Sequence, residues 1–238
     1  MGKVTTAVIM AAGMGTRFGN KTELMPKGFV EVNGVPMIIR SIDTLIQCGI
    51  KRIIIGTGYL KEKYEELEAN YPMIECCFSE KFKDTNSMWT LCNCRDMIGY
   101  EDFILLESDL VFESKAISEL INHDKSDLLL AAEETKFQDQ YFVEYDKEGI
   151  LINCSTDRTK LNVCGEFVGI HKLSNNFFKT LCTYYDEIKK EHPKLGYEFG
   201  LLHISQQIMP LYVHKVKDLM WYEIDDEKDL IYAENLFR

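Results

Sequence analysis

Glycine, threonine and arginine crowd into one short stretch near the start of the chain, directly after an apolar run. The stretch reads MAAGMGTRFG over residues 10–19 and follows Val8 and Ile9. Glycine costs backbone order, so a Gly-rich turn after a buried strand indicates close approach to the main chain. Successive backbone N–H groups in such a turn suit phosphate oxygens. The stretch predicts an anion-binding loop, with a flexible loop of incidental glycines as the alternative.

Neither common phosphate-loop template fits this stretch. A Walker A loop ends in Gly-Lys-Ser or Gly-Lys-Thr, which GMGTRFGNK lacks. The dinucleotide fingerprint Gly-x-Gly-x-x-Gly fails as well, because one residue too many separates Gly15 from Gly19. The ligand therefore has to be argued from the residues that accompany the loop.

Lys27 follows Arg17 by ten residues, in the sequence MPKGF. Pro26 fixes the backbone before it, and Gly28 frees the backbone after it. A lysine held in this way can present a point charge to a phosphate chain. A solvated surface lysine is the alternative.

Two later apolar stretches run directly into acidic residues. LLESDLVFE carries Glu107 and Asp109, and WYEIDDEKDL carries Asp225 and Asp226. In doubly wound sheets, ligands bind at the carboxyl ends of strands. Asp109 and Asp225, from separate strand ends, can hold one Mg²⁺, which prefers hard oxygen ligands and keeps substrate phosphates in its shell. Taken singly, such acids also cap helices or lie in solvated turns.

The elements that must position these residues alternate along the first half of the chain. Apolar runs and amphipathic stretches follow one another from KVTTAVIMA, residues 3–11, to SDLLLAAEE, residues 126–134. This alternation predicts an α/β fold with a mostly parallel central sheet flanked by helices. DFILLESDLVFE, residues 102–113, is expected as a strand of that sheet that breaks into acidic residues, with Glu107 and Asp109 at its carboxyl end.

The second half of the chain is richer in strand patterns. QYFVEYDKEGILINCS, residues 140–155, predicts a hairpin, and further strands and helices follow it. We expect this smaller β-rich part to form a wall or lid for the substrate. We also expect one domain over residues 1–238, because no repeat, low-complexity tract or linker interrupts the chain.

Composition and charge exclude some classes of function. The 238 residues are 46% apolar and 27% charged, which is ordinary for a globular protein. A formal charge of −11 argues against a general nucleic-acid binder. Because neither a membrane-spanning apolar window nor a signal peptide is visible, we expect a cytoplasmic protein without membrane contact. The sequence leaves the oligomeric state open, with a homodimer among the alternatives.

The cysteines and histidines suggest no site of their own. Cys92 and Cys94 are too close together for a zinc pair, and none of the eight cysteines supplies a matching second pair. We expect free thiols, several of them buried. The five histidines are scattered along the chain, so we expect structural roles for them.

Taken together, these motifs resemble a known enzyme family. MAAGMGTR, MPKG, LESD and EID resemble the nucleotidyltransferases that activate small phosphorylated compounds with a nucleoside triphosphate. TNSMWTL, LLESDLVF, GEFVGI, KLGYEFGLL and WYEIDDEKDL are similar to the 2-aminoethylphosphonate cytidylyltransferases, with the bacterial phosphocholine cytidylyltransferases as near relatives. The resemblance implies a Rossmann-like nucleotidyltransferase fold. It also implies Mg²⁺-dependent transfer of CMP from CTP to 2-aminoethylphosphonate. Phosphocholine and sugar 1-phosphates are the alternative acceptors.

The resemblance also implies roles for the matching residues. Lys27, Arg17 and Asp109 would be catalytic, because bringing two anions together requires neutralised charge rather than a nucleophile. Asp109 and Asp225 would hold Mg²⁺. The residues expected to bind the nucleotide lie in the Gly-rich loop and at a helix start; they are Ala11, Ala12, Gly13, Gly15, Thr16, Arg17, Lys27, Asn86 and Ser87.

The cationic amine of the acceptor requires a matching site in the second half. A primary ammonium has three donors and needs carboxylates or carbonyls, whereas a choline head needs aromatic rings. Glu166 is our first choice, because it interrupts the apolar strand CGEFVG and a buried charge needs a partner. A surface glutamate on an edge strand is the alternative. Glu198 in GYEFG and the aromatic Tyr141 are the other acceptor-binding candidates.

Overall fold

Strands and helices alternate along the first half of the chain, as the apolar pattern predicts. The computed structural model describes residues 4–22, 24–136 and 140–238, so Lys3 of the expected first strand lies outside it. Its strands are β1 (Thr6–Ala11), β2 (Glu31–Val32), β3 (Val35–Pro36), β4 (Arg52–Thr57), β5 (Ile74–Phe78), β6 (Phe103–Glu107), β7 (Leu110–Phe112), β8 (Leu128–Ala132), β9 (Phe142–Tyr145), β10 (Leu151–Ser155), β11 (Gly165–Leu173), β12 (Tyr212–Lys215) and β13 (Trp221–Glu223).

The helices connect these strands and cover the sheet. They are α1 (Met37–Gln47), α2 (Lys61–Glu68), α3 (Ser87–Asn93), α4 (Arg95–Ile98), α5 (Lys115–Asn122), α6 (Asn175–Ile188), α7 (Tyr197–Gln207) and α8 (Glu227–Leu236). Short 3₁₀ helices span Thr16–Thr22, Lys27–Phe29 and Arg158–Lys160. None of the helices in the described part of the chain is long and apolar enough to cross a membrane.

One large sheet takes strands from both halves of the chain. β1 lies in its middle, pairs in parallel with β4 and β6, and β4 pairs in parallel with β5. β11 pairs antiparallel with β6 and connects β8 and β9 to the sheet. This arrangement confirms the predicted α/β fold with a mostly parallel central sheet flanked by helices. The β-rich second half extends that same sheet.

Alternate residues of β1 face opposite sides of the sheet. Ala7 and Ile9 pack into the hydrophobic cluster that includes α1, α2 and α5, whereas Val8 and Met10 pack into the cluster that includes α3, α6 and α7. All six residues of β1 are buried, as expected for a central parallel strand. The fold therefore rests on two apolar layers, and the carboxyl end of β1 opens into the Gly-rich loop.

The stretch 102–113 breaks at its acidic residues, as expected, but it then forms a second strand that was not predicted. β6 ends at Glu107, a turn covers Ser108 and Asp109, and β7 begins at Leu110. β7 leaves the main sheet and pairs antiparallel with β13. Serine and aspartate favour turns because their side chains compete with strand hydrogen bonds, which explains a break inside an apolar run. The break places Asp109 outside the sheet.

The eight cysteines are free thiols, as the spacing indicates. Five of them are buried in the hydrophobic interior, and they are Cys77, Cys92, Cys94, Cys154 and Cys182.

Candidate active site

The Gly-rich loop after β1 lines a cavity of about 470 Å³. Gly15 has a φ of +61°, and a Cβ atom there would lie 2.9 Å from Cβ of Lys27. Glycine is therefore required both by the backbone conformation and by the close approach of Lys27. The structure brings most of the expected nucleotide and metal residues to this cavity; they are Ala12, Gly13, Gly15, Thr16, Arg17, Lys27, Asn86, Ser87, Asp109 and Asp225.

Ala11 and Asn86, both expected to bind the nucleotide, differ in their position relative to the cavity. Ala11 is buried at the end of β1 and is not among the described residues that line the cavity. Asn86 precedes α3, and its side-chain oxygen accepts a hydrogen bond of 2.8 Å from the N–H of Ser87. Asn86 therefore fixes the start of α3 at the cavity wall.

The ammonium of Lys27 lies between two carboxylates in this wall. Its Nζ atom is 2.5 Å from Oδ2 of Asp109 and 2.7 Å from Oδ1 of Asp225. Nη2 of Arg17 lies 2.6 Å from the same oxygen of Asp225. Burial alone would lower the pKa of Lys27, but the charges of Asp109 and Asp225 outweigh it and hold the pKa above its usual value. Two acids from distant positions therefore share one cation.

These two acids meet because β7 and β13 pair. Asp109 precedes β7 and Asp225 follows β13, with Glu223 opposite Leu110 in the antiparallel register. The N–H of Ile224 donates to the carbonyl of Asp109 at 3.0 Å and extends the pairing toward the site. The two-stranded ribbon of β7 and β13 thus places Asp109 beside Asp225, which follows it by more than a hundred positions.

Two further carboxylates lie next to this pair. Glu107, Asp109 and Glu223 each offer an oxygen within 4.8 Å of the other two, a grouping that could hold a metal ion. Burial and the charges of Asp109 and Asp225 raise the pKa of Glu223 to about 7. Burial and the charges of Asp109 and Glu223 also raise the pKa of Glu107. Acids packed this closely are costly unless a cation joins them.

A second cavity of about 290 Å³ adjoins the first. The two cavities have five lining residues in common, and they are Arg17, Asn86, Ser87, Glu107 and Asp225. Its remaining wall combines aromatic rings with acids; these residues include Tyr141, Phe167, Tyr197, Glu198 and Glu223. A ligand that occupies both cavities would pass directly over the acidic group.

Tyr141 and Glu198, both expected to bind the acceptor, line the second cavity together. The phenol of Tyr141 donates a hydrogen bond to the carboxylate of Glu198. Burial raises the pKa of Glu198, while this hydrogen bond and its own backbone N–H oppose the shift. The rings of Tyr141 and Phe199 pack edge to face with centroids 5.8 Å apart.

Glu166, our first choice for the acceptor, has a different environment. It is fully buried in β11 and is not among the described residues that line either cavity. Its carboxylate accepts hydrogen bonds from the N–H and the hydroxyl of Thr135 and from the N–H of Lys136. Nζ of Lys136 in turn lies 2.8 Å from Asp229 and 3.8 Å from Asp225. The geometry therefore gives Glu166 the role of an anchor for the Lys136 segment.

Sequence reasoning did not select Glu107, Glu223, Tyr197 or Lys136 as site residues. For the two glutamates a signal was present, because each precedes an expected metal ligand by two residues. Side chains two apart on a continuous strand point to the same side of a sheet. The sequence spacing of Glu107 with Asp109, and of Glu223 with Asp225, would have predicted this, although Asp109 and Asp225 lie just beyond the ends of β6 and β13. Tyr197 and Lys136 carried no comparable signal.

Comparison with known proteins agrees with this geometry. The family model of the MobA-like NTP transferase domain matches residues 7–174. The chain belongs to the MobA-like NTP transferase domain family. The predicted resemblance to nucleotidyltransferases is confirmed. The matched part of this NTP transferase domain includes the Gly-rich loop, Lys27 and Asp109, whereas Asp225 lies beyond it.

Several curated relatives of this NTP transferase domain are known. The 2-aminoethylphosphonate cytidylyltransferase of Lancefieldella rimae is 35% identical over 113 residues, which cover 48% of this chain and 46% of that protein. The choline-phosphate cytidylyltransferase of Haemophilus influenzae is 31% identical over 121 residues, half of each chain. The CMP-5'-(3-aminopropyl)phosphonate synthase of Streptomyces rubellomurinus is 24% identical over 97% of this chain and 38% of its own length. The chain thus spans about half the length of the first curated relatives it matches.

Solved structures share the fold over almost the whole chain. The CTP:phosphocholine cytidylyltransferase of Streptococcus pneumoniae superimposes with a TM-score of 0.81 and 22% identity, over 99% of this chain and all of the other. The inositol-1-phosphate CTP transferase of T. maritima gives a TM-score of 0.82 and 14% identity, over 98% and 97% of the two chains. These matches confirm the predicted Rossmann-like nucleotidyltransferase fold.

Proposed function

We propose that the protein is a cytidylyltransferase that transfers CMP from CTP to 2-aminoethylphosphonate and releases pyrophosphate. One observation carries the proposal: a glycine-lined cavity and an acid-lined aromatic cavity meet at the Lys27, Asp109 and Asp225 cluster. A triphosphate matches the first cavity in its chemistry, and a zwitterionic acceptor matches the second. The names of the curated relatives support cytidine as the base and a phosphonate as the acceptor.

The larger cavity is the proposed CTP site. The loop offers backbone N–H groups to phosphate oxygens, and Gly15 allows the chain to come close to them. Lys27 and Arg17 carry the positive charge that the triphosphate requires. Arg17 has 61% of its side chain exposed, so it can turn toward the phosphates without crossing packed structure. Asn86 and Ser87 face the same cavity and are the proposed contacts for the base or α-phosphate.

The carboxylates of this site fit a magnesium ion. Asp109 and Asp225 already hold one cation between them, the ammonium of Lys27, and Glu107 and Glu223 lie beside them. Hard carboxylate oxygens are the ligands that Mg²⁺ prefers. We propose Asp109 and Asp225 as its ligands. When bound, Mg²⁺ would offset negative charge on the phosphate oxygens.

In the reaction, a phosphonate oxygen attacks the α-phosphorus of CTP. One phosphorus–oxygen bond forms, the bond between the α-phosphorus and the bridging oxygen breaks, and pyrophosphate carries away the electron pair. The attacking oxygen is already an anion, so no general base is required. The residues act by holding two anions in line and neutralising their charge. Lys27 and Arg17 are proposed to stabilise the leaving pyrophosphate.

The smaller cavity is the proposed acceptor site. Glu107, Glu198 and Glu223 supply acceptor oxygens for the three donors of a primary ammonium, and Tyr141 adds a ring and a hydroxyl. Glu166 would act indirectly, by anchoring the segment that carries Lys136. We also propose that residues 1–238 act as one domain, since strands from both halves share the main sheet.

Phosphocholine is the second candidate acceptor. The rings of Tyr141, Phe167 and Tyr197 line the same cavity, and aromatic faces attract a trimethylammonium group. Choline-phosphate cytidylyltransferases are also among the relatives. The three glutamates in the wall favour the primary ammonium, because a trimethylammonium group has no hydrogen to donate.

The test is a matrix of acceptors and nucleotides, read by pyrophosphate release in the presence of Mg²⁺. 2-Aminoethylphosphonate, phosphocholine and glucose 1-phosphate are each combined with CTP, UTP, ATP and GTP. We expect the fastest release with CTP and 2-aminoethylphosphonate. A higher kcat/KM with phosphocholine would replace the first proposal by the second, and turnover only with glucose 1-phosphate would refute both.

A further inference from the structure

Three polar side chains form a hydrogen-bonded chain from the hydrophobic interior to the wall shared by the two cavities. Nε2 of His171 lies 3.2 Å from the hydroxyl oxygen of Tyr197. That hydroxyl donates to Oε1 of Glu107 at 2.7 Å. His171 is fully buried, Tyr197 is 1% exposed, and Glu107 lines both cavities. His171, expected to be merely structural, thus connects indirectly to the candidate active site.

The direction of this chain follows from the single proton of Tyr197. The hydroxyl of Tyr197 donates that proton to Oε1 of Glu107. The oxygen of Tyr197 can then only accept, which requires Nε2 of His171 to carry the ring proton. Burial lowers the pKa of His171 to about 3, consistent with a neutral ring that has one proton. Each donor in the chain therefore points toward the site.

Stability alone does not explain a histidine at this position. Its Nδ1 atom is buried and has no hydrogen-bond partner in the described structure, which is costly in an apolar interior. The ring packs against Phe167 and Tyr197, with centroids 4.8 Å and 5.6 Å away. A phenylalanine would suit these neighbours without an unsatisfied nitrogen. What histidine adds is the donor for Tyr197.

A glycine in β11 lets the backbone lie close to the second carboxylate oxygen of Glu107. Gly169 has a φ of +77°, and a Cβ atom there would lie 3.1 Å from Oε2 of Glu107. The pairing of β11 with β8 shifts register between Phe167 and His171, around this glycine. Irregular strand positions of this kind often lie beside active sites, where they direct a side chain. β11 thus opens a space for one oxygen of Glu107 while Tyr197 holds the other.

We infer that Tyr197 and His171 are positioning residues for acceptor binding: they orient Glu107 toward Glu223, so that both carboxylates receive the acceptor's ammonium. The oxygens of Glu107 and Glu223 lie within 4.8 Å of each other, a separation that one ammonium can bridge. The inference rests on the proposed function, because it assumes an acceptor that carries a cationic amine. It assigns that amine to a defined pair of acids and explains how one of them is held.

The test compares two ligands and several variants, so that the amine of the ligand and the hydrogen bonds of Tyr197 and His171 can be removed separately. The ligands are 2-aminoethylphosphonate and propylphosphonate, which replaces the ammonium by a methyl group. Each is titrated by calorimetry into the whole chain with Mg²⁺ and a non-hydrolysable α,β-methylene analogue of CTP. The measured quantity is the Kd of propylphosphonate divided by the Kd of 2-aminoethylphosphonate. This ratio isolates the contribution of the amine.

We expect wild type to bind the amine ligand more tightly and Tyr197→Phe to reduce the Kd ratio about tenfold, the effect of one hydrogen bond to a charged group. His171→Phe should reduce the ratio by a smaller factor while its Tm stays equal to wild type or rises. Tyr185→Phe is the matched control, because Tyr185 is also 1% exposed and its hydroxyl faces the carbonyl of Pro193. Its ratio should remain that of wild type.

The outcomes separate this inference from the proposed function. A wild-type Kd ratio near one would refute the proposed aminated acceptor and this inference with it. If wild type clearly prefers the amine ligand and this preference is unchanged in Tyr197→Phe and His171→Phe, the positioning role of Tyr197 and His171 is refuted and the proposed function is not. If Tyr197→Phe is unstable, His171→Phe decides the question, because it leaves the hydroxyl of Tyr197 in place.

Discussion

The ammonium of Lys27 lies 2.7 Å from Oδ1 of Asp225, although 198 positions separate the two residues. The same nitrogen lies 2.5 Å from Asp109, so one monovalent cation bridges the two acids that we propose as magnesium ligands. Lys27 thus offsets part of the negative charge of the two acids, and a divalent ion would compete for the same oxygens. The energetic relation between Lys27 and the metal can therefore be measured.

Replacement of Lys27 by methionine should increase the response of the protein to a divalent ion. Without the ammonium, Asp109 and Asp225 repel each other, and a bound cation relieves that repulsion. We expect Mn²⁺ to raise the Tm of Lys27→Met more than that of wild type, because a ligand that binds only the folded state stabilises it. Lys136→Met is the control, since Lys136 pairs with Asp229 and lies 3.8 Å from Asp225. Equal shifts in both variants would contradict the direct competition.

Asp109→Asn should abolish most turnover with little effect on folding. The amide keeps the shape of the side chain but removes the charge that we assign to the metal. We expect kcat to fall at least about 100-fold, the scale of losing one electrostatic contact in the transition state. Asp226→Asn is the control, because Asp226 caps α8 through the N–H groups of Lys228 and Asp229, and asparagine caps equally well. Steady-state pyrophosphate release measures both variants, and wild-type turnover in Asp109→Asn would remove it from the metal site.

Gly169→Ala should weaken acceptor binding beyond the strain that any alanine brings to this conformation. Gly99 provides the comparison, since it also has a positive φ, of +64°, but a Cβ atom there would meet nothing within 4 Å. Both variants should lose about 1–2 kcal/mol of folding free energy from the left-handed backbone. Only Gly169→Ala should also raise the KM for the acceptor, because the new methyl group meets Glu107. A KM increase of the same size in Gly99→Ala would mean that strain alone is responsible.

Glu166→Leu distinguishes an anchor from an acceptor contact. Leucine removes both oxygens and leaves the N–H groups of Thr135 and Lys136, which donate to one oxygen of Glu166, without an acceptor. We expect the free energy of unfolding to fall by about 1–3 kcal/mol, the cost of unsatisfied buried donors. The KM for the acceptor should change less than it does in Glu198→Leu. A large KM increase at unchanged stability would instead place Glu166 in contact with the acceptor, as its position in CGEFVG suggests.

The buried ring of His171 should make stability depend on pH. Burial lowers its pKa from 6.5 to about 3, so below pH 6.5 the unfolded chain binds a proton that the folded protein does not. The stability that the neutral ring contributes is therefore present above pH 6.5 and is lost as the pH falls toward 3. Relative to His171→Phe, wild type should lose up to about 1.4 kcal/mol per pH unit below about pH 6. Urea unfolding over that range measures this difference, and identical slopes would contradict the assignment.

Most of the fold could be predicted because apolar periodicity and turn residues report local structure directly. The apolar runs at residues 3–11 and 126–134 contain β1 and β8, as the alternating pattern predicts. The second strand after Ser108 and Asp109 could not be predicted from the apolar run alone. It depends on pairing between β7 and β13, which lie more than a hundred residues apart in the chain.

The candidate site likewise combines residues that short motifs predict with contacts that only the folded chain shows. The glycine loop, Lys27 and the acids carry their chemistry in short motifs, and the structure brings them to one cavity. Glu166 was predicted to be an acceptor ligand because a charge in an apolar strand needs a partner, but that partner is the backbone at Thr135 and Lys136. Tyr197 connects to Glu107 across 90 positions. No local pattern contains such a contact.

The ribbon formed by β7 and β13 has a consequence for biosynthesis. Asp109 leaves the ribosome long before Asp225, because more than a hundred residues separate it from the strand Trp221–Glu223 that brings the two together. A nascent protein can therefore assemble the Gly-rich loop and several strands of the sheet while its pair of acids is still incomplete. The proposed pair of magnesium ligands would be complete only once that late strand has emerged, so shorter nascent chains would lack it.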